Sequence, residues 1–256
     1  MNLLLSLRSE ILKTKRTAAF YFAMIGASIM PVIFLFNAIS EGLPAEDESA
    51  KDPLNAIFGL STQLIGLGLL PLFVILVCTL LPQIEYRNNT WKQVLTSPQS
   101  KATVYLSKFL SMHLMILLFL VAGHVFMWIV IVAIHFILPE LDVPSSPLDG
   151  YKIFLNTANN YLTVLGVASI QFWLGLRFRS FLPPVAIGLG LWLMGTVMAL
   201  EYHSSYSPYF PYSFQAFCFA PEYRAQLPQV VGTSIGYAIG IALLGFLDFR
   251  RRRMNA

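Results

Sequence analysis

GLSTQLIGLGLLPLFVILVCTLLPQ, residues 59–83, runs for 25 residues without one charged side chain. A helix needs about 20 largely apolar residues to cross the hydrocarbon core of a bilayer, and this stretch exceeds that length. Outward from it the same signal recurs at Ala18–Ile39, Phe109–Leu138, Ile153–Phe178, Leu182–Leu200 and Val230–Phe249, which makes six spans. The chain is 56% hydrophobic and 12% charged, too little polar surface to cover a water-soluble globule of 256 residues. The expected fold is an all-α integral membrane protein in which residues 1–256 form a single membrane domain. The N-terminal MNLLLSLRSEILKTKRT carries Glu10 and four cations and has no small-residue cleavage site, so it does not read as a removable signal peptide.

Basic residues near span ends stay on the cytoplasmic side, so their distribution tests both the count and the orientation. With six spans, 14 of the 17 basic residues fall on one side: Arg8, Lys13, Lys15, Arg16, Arg87, Lys92, Lys101, Lys108, Arg177, Arg179 and Arg250 to Arg253. Only Lys51, Lys152 and Arg224 fall on the other. Of the 13 acidic residues, Glu10, Glu85 and Asp248 alone share the basic side. That alternation predicts both termini in the cytoplasm and a multi-pass protein of the cell membrane. The pI near 9.1 then reflects topology and contact with membrane lipid, and no nucleic-acid partner is expected.

The outside loops differ. Ser40 to Phe58 is acidic and reads as solvated, whereas Glu201 to Gln229 concentrates Tyr202, Tyr206, Tyr209, Phe210, Tyr212, Phe214, Phe217, Phe219 and Tyr223 among four prolines. Such a loop is expected at headgroup level, folded back onto the bilayer. Gly232, Gly236 and Gly240 share nearly one face of the sixth span, for close packing within the bundle in the preferred reading or against a second copy in the other. His113, His124 and His135, 11 residues apart, share a face of the third span. They lie roughly 16 Å apart along the axis, too far for two of them to bind one metal, so no metal site is expected. His124, the deep one, is the intramembrane polar candidate; the bland role is a hydrogen bond to a neighbouring helix, the sharp one a haem, quinone or proton path. Cys78 and Cys218 give neither a disulfide framework nor a metal spacing.

On the cytoplasmic side, Leu3, Leu4, Leu7, Ile11 and Leu12 fall on one helical face, predicting an interfacial helix with its cations at anionic headgroups. Between the second and third spans runs EYRNNTWKQVLTSPQSKATVYLSK, residues 85–108. Asn88-Asn89 reads as a turn and Thr90 as an N-cap. Trp91, Val94 and Leu95 form one apolar face of a short helix closed by Pro98, and Ser100 caps a second helix running through Lys108. Such a ridge suits helix-in-groove docking to a partner, or rest on the headgroups with Trp91 as anchor.

Glu85, Asn89-Thr90-Trp91, Leu95, Pro98, Ser100 and Lys108, in this six-span layout, resemble the permeases of the ATP-binding-cassette type 2 exporter family, and within it the bacteriocin-immunity and bacitracin-resistance branch. The resemblance implies that the segment is a coupling helix seated in a cleft of a separate ATPase subunit. Thr90, Trp91, Gln93, Val94 and Leu95 would make the contact, and Glu85, Arg87 and Lys92 its charged border. It also implies an extracellular gate of short re-entrant helices, with Tyr209, Phe210, Tyr212, Phe214 and Phe217. The implied assembly is two permease subunits, identical or homologous, above two ATPase copies, moving an amphiphilic cargo such as a peptide antibiotic or lipid-like molecule.

The chain contains no GxxxxGK[ST] loop to cradle nucleotide phosphates, so ATP and Mg are expected only in the partner and this chain is expected to bind no cofactor and to be no enzyme. No HExxH or intramembrane carboxylate pair occurs, which argues against a peptidase and a proton-coupled carrier. The readings from other classes are a haem- or quinone-handling subunit using the histidine line and a membrane scaffold without cargo.

Overall fold

The computed structural model describes residues 2–15, 17–40, 52–96, 99–137 and 147–251. Its described residues are helical, joined by turns. A short helix α1 (Leu3–Thr14) leads into α2 (Ala18–Ser40); α3 (Pro53–Leu64) continues through a π-helical turn, Ile65–Leu69, into α4 (Leu70–Arg87). Helix α5 (Trp91–Thr96) precedes the long α6 (Lys101–Ile137), α7 (Gly150–Arg177) and α8 (Leu182–Leu200). Three short 3-10 turns and α9 (Ala216–Phe219) then lead to α10 (Leu227–Arg251).

The π turn has a chemical cause. Pro71 has no N–H to give and its ring crowds the carbonyl four residues back. The chain inserts one extra residue ahead of it, and the Leu70 N–H reaches Ile65 O five residues back. Pro31 and Pro82 sit inside α2 and α4.

Among the described residues, five helical stretches are long and apolar enough to cross a membrane: Ala18–Ser40, Leu54–Arg87, Lys101–Ile137, Leu182–Leu200 and Pro221–Arg251. Helix α7, expected as the fourth of six spans, does not join them on hydropathy, although its 28 residues are long enough. Its polarity is turned inward: Asn160, Thr163, Ser169 and Gln171 are all buried. Helix α7, the least apolar of the long helices, packs along both α4 and α10.

Small residues permit those approaches. A methyl on Gly175 would lie 2.7 Å from Cys78 O on α4, and one on Gly245 2.8 Å from the Tyr105 hydroxyl on α6. Gly232, Gly236 and Gly240 behave otherwise. Nothing lies within 4 Å of a Cβ placed on any of them, so the ladder faces out of the bundle and does not serve the packing within it that the sequence favoured. The helix-period pattern fixes that three glycines share a face, but not which way the face turns.

Candidate functional site

At one end of the bundle, α1, α4, α5 and α6 meet around four charges. Lys108 Nζ donates to Glu85 Oε1 at 2.6 Å and to Glu10 Oε2 at 2.8 Å. Lys13 Nζ donates to Glu10 Oε1 at 2.7 Å and to Glu85 Oε1 at 3.1 Å. Glu85 and Lys108 are only 1% and 2% exposed. A buried charge is tolerated when paired and hydrogen-bonded, and here each ammonium faces two carboxylates. Burial alone would push the Glu10 carboxyl up; Lys108 and Lys13 together outweigh it and hold the group below the usual carboxylate range. Burial works against the Lys13 ammonium, but Glu10 and Glu85 prevail and raise its pKa. The Ser6 hydroxyl, 3.0 Å from Gln99 Oε1 and 2.9 Å from Ser107 Oγ, fastens the other end of α1 to α6.

The cluster also sets the position of α5. Asn88 and Asn89 turn the chain as the sequence indicates, with Asn89 at φ 52°, in the left-handed region that asparagine tolerates. The Thr90 N–H returns to Glu85 O at 3.0 Å, and Thr90 O accepts the Val94 N–H at 3.0 Å. Trp91 then points inward, 4% exposed, with ring centroids 5.4 Å from Tyr86 and 5.9 Å from Phe249. Lys108 Nζ stands 5.5 Å from the centre of its ring, a cation–π contact.

Two expectations change. Trp91 is not on an exposed ridge, because an aromatic side chain beside a buried ammonium and two other rings gains more than one facing water. Glu85 is not a charged border but an internal strut. The outer side of α5 presents Gln93, exposed, with Arg87 exposed and Thr90 half-buried beside it, whereas Val94, half-buried, packs against the core and faces α1. The side chains of Lys92 and Leu95, and Pro98 altogether, lie outside the described residues. Between α1 and α5 opens a cavity of about 200 Å3 with a mixed lining that includes Ser6, Glu10, Lys13, Gln93, Val94 and Val104.

At the opposite end, the aromatic segment does not lie wholly on the surface. Tyr202, Tyr206 and Tyr209 are exposed, while Tyr212, Phe214 and Phe217 are buried and Phe210 is half-buried. Amides of the bundle draw it in. Gln171 Nε2 donates to the Tyr212 hydroxyl at 2.9 Å, and Gln215 Nε2 to Asn160 O at 3.1 Å and Thr163 Oγ1 at 3.0 Å. Short helical turns satisfy the segment's own backbone, which allows such an excursion away from water. Gly195 makes room: a Cβ there would stand 2.6 Å from the Tyr212 carbonyl carbon. Asn160 Oδ1, Gln171 Oε1 and Gln215 Oε1 are buried without a partner among the described residues, each at a cost of about 1–3 kcal/mol.

The histidines of α6 are tied to α7. The Thr157 hydroxyl gives its proton to Ile153 O at 2.8 Å, so His124 Nε2, 2.8 Å away, donates to Thr157, and the His124 ring stacks on Phe58. His113 Nδ1 lies 3.1 Å from the Tyr161 hydroxyl, and His135 is exposed. Among the described residues no group of three His, Cys, Asp or Glu gathers to hold a metal.

Sequence reasoning picked out Glu85 and Lys108 but missed their partners Glu10 and Lys13 on α1. The signal was present: Glu10 stands as the one acid among four cations in the first 17 residues. The amide contacts of Asn160, Gln171 and Gln215 were also missed, although amides in an apolar stretch ask for partners.

A helical bundle with several long apolar helices, a short helix locked across its end by buried charges, and a second short helix beside it define a multi-pass membrane protein. The family model described as "ABC-2 family transporter protein" matches residues 6–195, and the chain belongs to that family. It is therefore a permease component of an ATP-binding-cassette transporter, a membrane subunit that is not itself the ATPase and works with one. No curated protein matches the chain.

Proposed function

We propose that this chain is the permease subunit of an exporter, with six spans, both termini in the cytoplasm, and a separate ATPase docked on α5 and the neighbouring face of α1. One observation carries the docking reading. Helix α5 is six residues long, far below the length at which a helix is stable alone, yet it is fixed by the buried Trp91 ring and by the Glu85–Lys108 ion pair beside it. Fixing so short a helix suits a rigid contact that receives force, with Gln93 and Thr90 as the touching side chains and Arg87 and Lys92 at the rim. Helix α7, which falls short on hydropathy, completes the six spans in this reading, packed along α4 and α10 with its polar residues buried; the charge alternation of the sequence supports the even count.

The assembly in this reading is two permeases, identical or homologous, over two ATPase chains that carry ATP and Mg. The cargo is amphiphilic, a peptide antibiotic or lipid-like molecule in a resistance or immunity role. Tyr209, Phe210, Tyr212, Phe214 and Phe217 belong to an outer gate. His113 and His124 hold α6 to α7, and no cofactor is assigned to them.

The test is co-purification of the ATPase with the tagged permease. Gln93→Asp, which places a charge on the exposed side of α5 and replaces no member of the Glu10–Lys13–Glu85–Lys108 cluster, is expected to lose at least nine-tenths of the bound ATPase with the permease still folded. Retention of the ATPase at the wild-type level would refute docking at α5.

A further inference from the structure

The π turn of the second span touches both partners of the aromatic segment. Asn160 Nδ2 donates to Thr62 O at 3.0 Å, one turn ahead of the turn, and Gly66 within it has no side chain because Asn160 occupies the space: a Cβ there would fall 2.4 Å from Asn160 Oδ1. Asn160 O accepts from Gln215 of the aromatic segment. Leu67, also in the turn, packs against the cluster of Phe214, Phe217 and Ala199. From Leu70 to Glu85, with Pro82 within its second half, α4 runs roughly 22 Å between the π turn and the charged cluster.

We infer that the Asn160–Gln215 contact is a latch holding the aromatic segment to the π turn, and that α4 is the rod through which movement of the charged cluster releases it. The inference rests on the permease reading above and adds the residues that transmit its motion. A π turn is a place where a helix can shift register without losing its whole ladder, and such turns recur at functional positions. The unpartnered amide oxygens of Asn160 and Gln215 mark this junction as incompletely satisfied in the latched arrangement. An element that changes state is drawn from contacts of this kind. Along α4, by contrast, the core is fully packed, with Val74, Ile75, Val77 and Cys78 at 0% exposure, so the rod moves as one body.

Cys218 is a natural reporter. Its Sγ lies 3.5 Å from Thr163 Oγ1, beside the latch, and it is half-buried, while Cys78 is fully buried. The experiment measures the rate at which a maleimide labels Cys218 in a Cys78→Ala background, with the permease and its ATPase in lipid nanodiscs, under ADP and under a non-hydrolysable ATP analogue. Gln215→Met keeps volume and removes both latch bonds; it is expected to raise the rate about tenfold under ADP and abolish the nucleotide difference. Tyr212→Phe, a milder change that loses only the Gln171 bond, is expected to raise it about threefold. Unchanged rates in both variants, with a nucleotide difference intact in the wild type, would overturn the latch and leave the permease reading standing. A wild type whose labelling ignores nucleotide with the ATPase bound would overturn both.

Discussion

Lys108 is the residue on which the inner cluster turns, since it alone joins Glu85 to Glu10 from within the bundle while facing Trp91. Removing one member of a buried pair leaves an uncompensated charge at a cost of about 3–5 kcal/mol. Lys108→Met is therefore expected to lower the midpoint of thermal unfolding in detergent sharply, and adding Glu85→Met to recover part of the loss. Glu10 and Lys13 set the pH limits of the same cluster. The Glu10 carboxyl is lowered in the folded state, so its contribution is full above the ordinary carboxylate value, about 4, and lost as pH falls through the lowered one. The Lys13 ammonium is raised, so its contribution is full below the ordinary lysine value, about 10, and lost as pH rises through the raised one. The separation of spin labels at Ser9→Cys and Gln93→Cys, with Cys78 and Cys218 replaced, should stay constant between about pH 5 and 9 and lengthen only in stronger acid or base. Lengthening between pH 6 and 8 would mean that a different group holds α1.

Among the elements, the turn before α5 was legible and the direction of α5 was not. Asn88-Asn89 announces a turn through side chains that tolerate left-handed backbone, and Asn89 adopts it at φ 52°. Asn89→Gly should be near neutral, whereas Asn89→Val should cost about 1–2 kcal/mol in thermal unfolding, because the branched side chain crowds its own backbone there. Trp91 misled because an apolar residue in a short amphipathic helix serves a partner or its own protein with the same pattern. What decided it was Lys108, 17 positions away in sequence, and periodicity within six residues carries no such information. The aromatic segment misled in a similar way. Tyrosines and phenylalanines suit a membrane surface, and three of these nine, Tyr202, Tyr206 and Tyr209, do lie exposed, but bonds made by Gln171 and Gln215 draw the middle of the segment inward. Gly195→Val should push the Tyr212 backbone away from α8 and raise labelling of Cys218 severalfold; an unchanged rate would mean that the close approach is dispensable.

For the whole molecule, the membrane class was legible from residues 59–83 alone, because charge-free length has few other physical meanings. The family was legible from the inner segment and is carried by the match over residues 6–195. Helix α7 was the hardest long helix to read: its amides and hydroxyls lower its hydropathy while their bonds to α3 and the aromatic segment make its burial possible. Six crossings predict that cysteines introduced at Arg8 and at Arg251 are both protected from an impermeant thiol reagent added to intact cells, and that one introduced at Tyr206 is labelled. Labelling of Arg8→Cys or Arg251→Cys from outside would remove the even count.

The central claim is that α5 is where the ATPase pushes. Crosslinking from Gln93→Cys, exposed on α5 and clear of the buried cluster, tests it most directly. In membranes holding the assembled transporter, a short photoactivatable thiol reagent on that position should join the permease to the ATPase chain, with a yield that changes with bound nucleotide. The same reagent at Tyr206→Cys should not. Crosslinks from Gln93→Cys to lipid or to the permease alone, with the ATPase present and active, would contradict the account.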